Sequence, residues 1–221
     1  MEISVVGVVG AGTMGSGIAQ VAAQAGLEVL LLDVSDALVN GAVDKIRRNL
    51  ARSVEKGKLS PQQMAQVLER IRPTTDGDNL GKAHLIIEAV FEDLEFKVQL
   101  FKKLEAVCRP ETIFASNTST LSITRMASRV SPSHRFVGLH FFNPVPAMRL
   151  VEIIPALQTS QETVDACIGF ARAIQKIPIR ARDFPGFLVN RIFMPYAGEA
   201  MLVSRAECSA CRRLSDLPPV R

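Results

Sequence analysis

"ISVVGVVGAGTMG", residues 3–15, decides how the rest of the chain is read. Residues 3–9 form a continuous apolar run that breaks into glycines, the pattern of a strand buried on both faces. Gly10, Gly12 and Gly15 follow in the spacing G-x-G-x-x-G. Residues 13–25 are rich in small side chains and compatible with a helix that stops at Gly26. The glycine pattern alone is weak. Placed directly after a buried strand and at the opening of a helix, it is a strong dinucleotide signal. Gly10 permits the tight turn, Gly12 lets a pyrophosphate approach the backbone, and Gly15 lets helix and strand pack closely. With Ala11, Thr13 and Met14 between them, they bring free N–H groups and a positive helix end to the phosphates.

A second buried strand is read in "EVLLLD", residues 28–33. Asp33, at its end, is expected to accept hydrogen bonds from the adenosine ribose and to repel a 2′-phosphate. No arginine follows closely, so NAD is expected rather than NADP.

The alternation continues outward. An amphipathic helix is predicted over 36–56, and Ser60-Pro61 starts another, with proline at its first position. Strands are predicted at 84–90, 112–117, 134–142 and 149–155, with a helix over 93–108. Such a pattern implies βαβ units: an α/β fold of the Rossmann type, doubly wound, with a mostly parallel sheet. Residues 1–183 are assigned to this domain. A helix over 187–203 opens a second, helical domain (residues 184–203). Residues 204–221 lose apolar periodicity and are expected to be a poorly ordered tail.

Composition narrows the function classes. Of 221 residues 48% are apolar, with no Trp and one Tyr, so the core is mostly aliphatic. A net charge of +4 suits small anionic ligands and is too diffuse to argue for nucleic acid. No basic leader and no apolar run of about 18 residues is present, so neither a signal peptide nor a membrane span is predicted. Cys108, Cys167, Cys208 and Cys211 show no metal-ligand pairing with histidines, and no metal is expected. The lone C-x-x-C of Cys208 and Cys211 lacks a strand-to-helix context. A reducing, cytoplasmic location is the simplest expectation.

"GLHFFNPVPAM", residues 138–148, places His140 where a strand must stop, because Pro144 and Pro146 follow. Ligands of open α/β sheets bind beyond the carboxyl ends of the strands. Twelve residues on, Glu152 interrupts the apolar run "LVEIIP". A buried carboxylate needs a partner, and a histidine donating Nδ1–H is a good one. Such a pair would leave Nε2 as a base. On spacing alone, a lone histidine near apolar residues is more often a satisfied structural group, with Glu152 on a solvent face.

"GAGTMG", "EAVFEDLEFK", "SNTSTL", "GLHFFNPVPAMRLVEI" and "DFPGFLVNRI" occur in this order. Over residues 3–203 the sequence resembles the 3-hydroxyacyl-CoA dehydrogenases, including the bacterial 3-hydroxybutyryl-CoA dehydrogenases. The resemblance implies reversible, NAD-dependent oxidation of (S)-3-hydroxyacyl-CoA to 3-oxoacyl-CoA. It makes His140 the base, Glu152 its carboxylate partner, Ser119 a hydrogen-bond donor to the reacting oxygen and Asn190 a holder of the substrate carbonyl region. It further implies cofactor contacts by Glu92, Lys97 and Asn143, with Lys97 and Ser119 also reaching the CoA substrate. Arg48, Arg52 and Lys56 share a helix face. Lys56 and Asn49 fall on positions that contact CoA, although such a basic stripe is as often simply solvated.

Members of this family continue into a helical domain that forms a homodimer and helps enclose the acyl-CoA. Here the sequence from Ser204 does not resemble that continuation, so a truncated or frame-shifted product is expected. Its homodimer is doubtful, and an NAD-binding fragment without turnover is the alternative function. Related dehydrogenases of free hydroxyacids use a lysine in a later helix; around Asn190 there is Arg191 but no suitable lysine.

Overall fold

The computed structural model describes residues 2–206. Eight strands form one sheet in the order β3-β2-β1-β4-β5-β6-β7-β8. They are β1 (Val5–Val9), β2 (Glu28–Leu32), β3 (Ile71–Thr74), β4 (Leu85–Glu88), β5 (Ile113–Ser116), β6 (Phe136–Phe141), β7 (Leu150–Pro155) and β8 (Ile177–Arg180). Every pair is parallel except β6 and β7. This is a Rossmann-type, mostly parallel α/β sheet. The strand order reverses between β1 and β4, the point at which such sheets open a crevice.

Helices α1 (Thr13–Gln24), α2 (Asp36–Glu55), α3 (Pro61–Glu69), α4 (Leu94–Glu105), α5 (Ile123–Ala127) and α6 (Gln161–Ala173) fill the connections. Their starts follow from capping residues. Ser60 forms a capping box with Gln63 and precedes Pro61, and Asp93 accepts from Phe96 N–H at 2.8 Å. One core, with Ile18, Ala22, Ile46, Leu50 and Phe170, packs one sheet face, and a second, with Val98, Phe101, Met126 and Phe136, packs the other. Burial on both faces explains why the central strands read as unbroken apolar runs.

Three features depart from the sequence reading. β3, whose "IRPT" carries exposed Arg72 and Pro73, is an edge strand, where a missing ladder donor is tolerated. α5, α6 and β8 were likewise not predicted. α7 (Val189–Ala206) begins two residues later than position 187, because Gly186 and Phe187 adopt positive φ of 78° and 49°. It also runs through Ala206, into the segment predicted as tail. Residues 207–221, with Cys208 and Cys211, lie outside the described residues. Among the described residues no helix is long and apolar enough to cross a membrane.

Candidate active site

Strand register gathers the site at one edge of the sheet. Val9 pairs with Leu32 and Glu88, and Glu88 with Ser116, so the residues that follow β1, β2, β4 and β5 emerge together. Gly10 has φ 103°, and a Cβ there would sit 2.6 Å from Ala89 O. A Cβ on Gly15 would lie 1.7 Å from Gly10 O, whereas one on Gly12 would meet nothing within 4 Å. Gly10 and Gly15 are therefore demanded by the protein's own packing. Gly12 leaves open space at the start of α1, where no side chain caps the helix, and this combination fits a pyrophosphate.

Asp33 closes the turn. Its Oδ2 accepts from Ala11 N–H at 2.6 Å and its Oδ1 from Val34 N–H at 2.7 Å. Thr13 Oγ1 lies 3.5 Å from Lys45 Nζ, and Met14 packs partly buried against the core beneath.

Across the crevice, β6 and β7 place His140 directly opposite Glu152. His140 Nδ1 is 2.7 Å from Glu152 Oε2, and both side chains are buried. Glu152 Oε1 accepts two further bonds, from the N–H groups of Leu188 and Val189, each at 2.9 Å. Burial pushes the Glu152 carboxyl upward, but the His140 bond and these two N–H groups outweigh it and hold it below the usual range. An ionised carboxylate can only accept, so Nδ1 carries a proton, and in the neutral imidazole Nε2 presents a lone pair. That lone pair faces Ser119 Oγ at 3.1 Å. The rings of Phe142 and Phe187 flank the imidazole at 4.6 and 5.6 Å.

Ser119 is held in turn by Glu92, whose Oε1 accepts from Ser119 N–H at 3.1 Å, from Thr120 Oγ1 at 3.0 Å and from the Thr118 hydroxyl. Burial raises the Glu92 carboxyl; the Thr118 bond and the Lys97 charge bring it net below its ordinary value. Lys97 is buried and bridges Glu88 at 2.6 Å and Glu92 at 3.2 Å.

Residues 142–149 link the strands of the dyad. Val145 sits on α1 so closely that a Cβ on Gly17 would lie 2.8 Å from Val145 Cβ. Lys176 Nζ donates to the carbonyls of Val145 and Met148 at 2.5 and 2.7 Å, which ties this loop down from below. Asn143 is exposed at the same edge, just before a cis bond to Pro144. Asn190, the second residue of α7, is half-buried and follows the Val189 N–H that binds Glu152.

The family model for the 3-hydroxyacyl-CoA dehydrogenase NAD binding domain matches residues 5–184. The chain belongs to the 3-hydroxyacyl-CoA dehydrogenase family. NAD is its cofactor.

The chain is 43% identical over 200 residues to the 3-hydroxyadipyl-CoA dehydrogenase of Escherichia coli, covering 90% of this chain and 42% of that one. It is 41% identical over 201 residues to a probable 3-hydroxybutyryl-CoA dehydrogenase of Bacillus subtilis, covering 91% of this chain and 70% of that one. The crystal structure of (S)-3-hydroxybutyryl-CoA dehydrogenase from Ralstonia eutropha superposes with a TM-score of 0.91 at 43% identity, over 93% of this chain and 72% of that one. The chain thus spans less than half of the Escherichia coli relative and about seven-tenths of the other two.

Lys97, expected to contact the cofactor and the CoA, has its ammonium buried between Glu88 and Glu92, with Val90 O 3.4 Å away. On α2, Asn49 Nδ2 donates to Gln20 Oε1 at 3.3 Å, and Lys56 caps the helix end in solvent. Arg48, Arg52 and Lys56 are exposed, and none is in an ion pair among the described residues.

Sequence reasoning overlooked Glu88, which sits at the end of β4 and accepts from Lys97, from Val90 N–H at 2.8 Å and from Ser116 Oγ at 2.6 Å. A lone acid closing the apolar run "HLIIEAV" was the available signal. Asp183 was missed too; it accepts from Ser122 Oγ and from the N–H groups of Ile123 and Thr124, anchoring the segment before α7 to the start of α5.

Proposed function

We propose that this chain carries out the reversible, NAD-dependent oxidation of an (S)-3-hydroxyacyl-CoA to the 3-oxoacyl-CoA. One observation carries the reading: His140 has its Nδ1 fixed on Glu152 and its Nε2 facing a serine hydroxyl at the edge of the glycine-turn crevice. That is a poised acceptor for a hydroxyl proton. The residues of the glycine turn fit the dinucleotide, whose nicotinamide supplies the hydride acceptor.

His140 Nε2 takes the proton from the substrate C3 hydroxyl, and Glu152 stabilises the imidazolium that forms. Ser119 Oγ, positioned by Glu92 through its own N–H, donates to the same oxygen and orients it. Asp33, braced by Ala11 and Val34, holds the adenosine ribose and disfavours a 2′-phosphate. Glu92 and Asn143 face the cofactor side, and Asn190 meets the substrate carbonyl. Arg48, Asn49, Arg52 and Lys56 line one stretch of α2 and receive the CoA phosphates. The acyl-CoA is the partner of this site. A cytoplasmic location goes with it, and the free thiols of Cys108 and Cys167 are compatible.

A second reading, NAD binding without turnover, draws on α7, where Ile192, Phe193, Met194 and Tyr196 are all exposed. A substrate chamber open along that helix would bind cofactor yet hold acyl-CoA poorly. NADH oxidation with acetoacetyl-CoA, measured beside NADH affinity, decides between them. Turnover supports the dehydrogenase, and tight NADH binding with none selects the second reading.

A further inference from the structure

The segment entering α7 touches the dyad from behind. Its backbone is left-handed at Gly186 and again at Phe187, where a bulky residue seldom goes. A Cβ on Gly186 would crowd Arg191 N at 3.0 Å, and its φ of 78° strains any other side chain. Phe187 is nevertheless buried, its ring edge-on to the His140 ring. The turn aims two consecutive N–H groups, those of Leu188 and Val189, at Glu152 Oε1. Oε2 of the same carboxylate belongs to His140. One buried carboxylate is therefore shared between the imidazole and the first turn of a helix.

We propose that Phe187, Leu188 and Val189 are positioning residues that act through Glu152, so that the seating of α7 sets how strongly Glu152 supports a proton on His140. The inference rests on the reading of His140 as the base. Two donors at Oε1 draw negative charge away from Oε2 and weaken it as an acceptor for Nδ1–H. When the first turn of α7 shifts outward, that charge returns to the imidazole. α7 also carries Asn190 one residue after the clamp, so a ligand that pulls Asn190 is felt at His140. No other charged side chain competes at Glu152 among the described residues. Its neighbours across the sheet are His140 and Ile179, and Arg191 instead lies over the Phe184 ring at 4.0 Å.

The test is to follow the ring titration of His140 by NMR in the full chain with NADH present, together with NADH affinity and turnover. Val189→Pro deletes one of the two N–H donors at a first helical position, where proline fits the backbone. Val189→Ala keeps that donor and should superimpose on the wild type. The expected result for Val189→Pro is a ring titration displaced to higher pH than that of the wild type, with NADH affinity held to within about twofold. A titration identical to the wild type, in a variant that still binds NADH, overturns the proposal. Should Val189→Pro lose NADH binding altogether, Gly186→Ala takes its place: its Cβ crowds Arg191 N at 3.0 Å and strains the turn while the Phe187 ring stays in place, so the ring titration must move in the same direction, and an unmoved titration is equally fatal. Absence of turnover in the wild type counts against the dehydrogenase reading alone, because the titration is read without it.

Discussion

His140 and Glu152 are cross-strand partners, one on β6 and one on β7, joined by a 2.7 Å contact in the only antiparallel pairing among the described residues. Directly opposed residues share a face, so the pairing register alone brings imidazole and carboxylate together. A slip of one residue would turn Glu152 to the opposite face. The dyad is thus a property of a local hairpin, and the N–H groups of Leu188 and Val189, where α7 begins, add two contacts to Glu152 from far along the chain.

Removing the acceptor should remove the chemistry and little else. For His140→Ala, turnover of acetoacetyl-CoA with NADH is expected to fall by about 10²–10⁴-fold, with NADH affinity almost unchanged. Steady-state kinetics beside a fluorescence titration of NADH checks both halves. A variant retaining a substantial fraction of wild-type turnover would remove His140 from the mechanism.

The glycine turn separates packing from binding. Gly15→Ala puts a Cβ 1.7 Å from Gly10 O and should compromise folding itself. Gly12→Ala meets no protein atom within 4 Å, so it should keep the wild-type Tm while losing NADH affinity. Thermal unfolding with and without NADH distinguishes the two. Equal loss of Tm in both variants would contradict the claim that Gly12 serves the ligand.

Lys97 is buried between two carboxylates. Lys97→Met leaves Glu88 buried with no opposing charge, which is expected to cost about 3–5 kcal/mol. Urea denaturation measures it. A loss confined to CoA affinity, with stability intact, would reinstate the outward-reaching role that its burial argues against.

Acid should unfold the site in a definite direction. Glu152 and Glu92 both lie below the ordinary carboxylate value of 4.5 in the fold. Their contribution is fully present above that value and is lost as the pH falls through the lowered folded values. Stability is therefore expected to drop more steeply below about pH 4.5 in the wild type than in Glu152→Gln. Parallel acid profiles for the two proteins would show that Glu152 is not the group responsible.

Much of this was legible beforehand because a parallel sheet buried on both faces writes itself as apolar runs. The glycine turn, Asp33, His140 and Glu152 all stand at the ends or interruptions of such runs. What the sequence hid was direction and distance. "RLVEIIP" reads as a strand of either sense, so the antiparallel pairing that builds the dyad was not visible. The burial of Lys97 had no local signal, because nothing in the sequence shows that Glu88, nine residues earlier, faces it. The N–H groups on Glu152 come from 36 and 37 residues away and belong to the backbone, which carries no sequence signature. "IRPT" failed the strand pattern because edge strands tolerate residues that central ones exclude.

Asp33 has a consequence for anyone wishing to redesign this chain's coenzyme. Its two oxygens also brace the turn, through Ala11 N–H and Val34 N–H. Exchanging it for a residue that welcomes a 2′-phosphate would strand those donors and slacken the loop that seats the pyrophosphate. On the proposed role of Asp33 at the ribose, selectivity and scaffold share one side chain, so a switch of preference calls for a replacement acceptor at Ala11 before any cation is introduced.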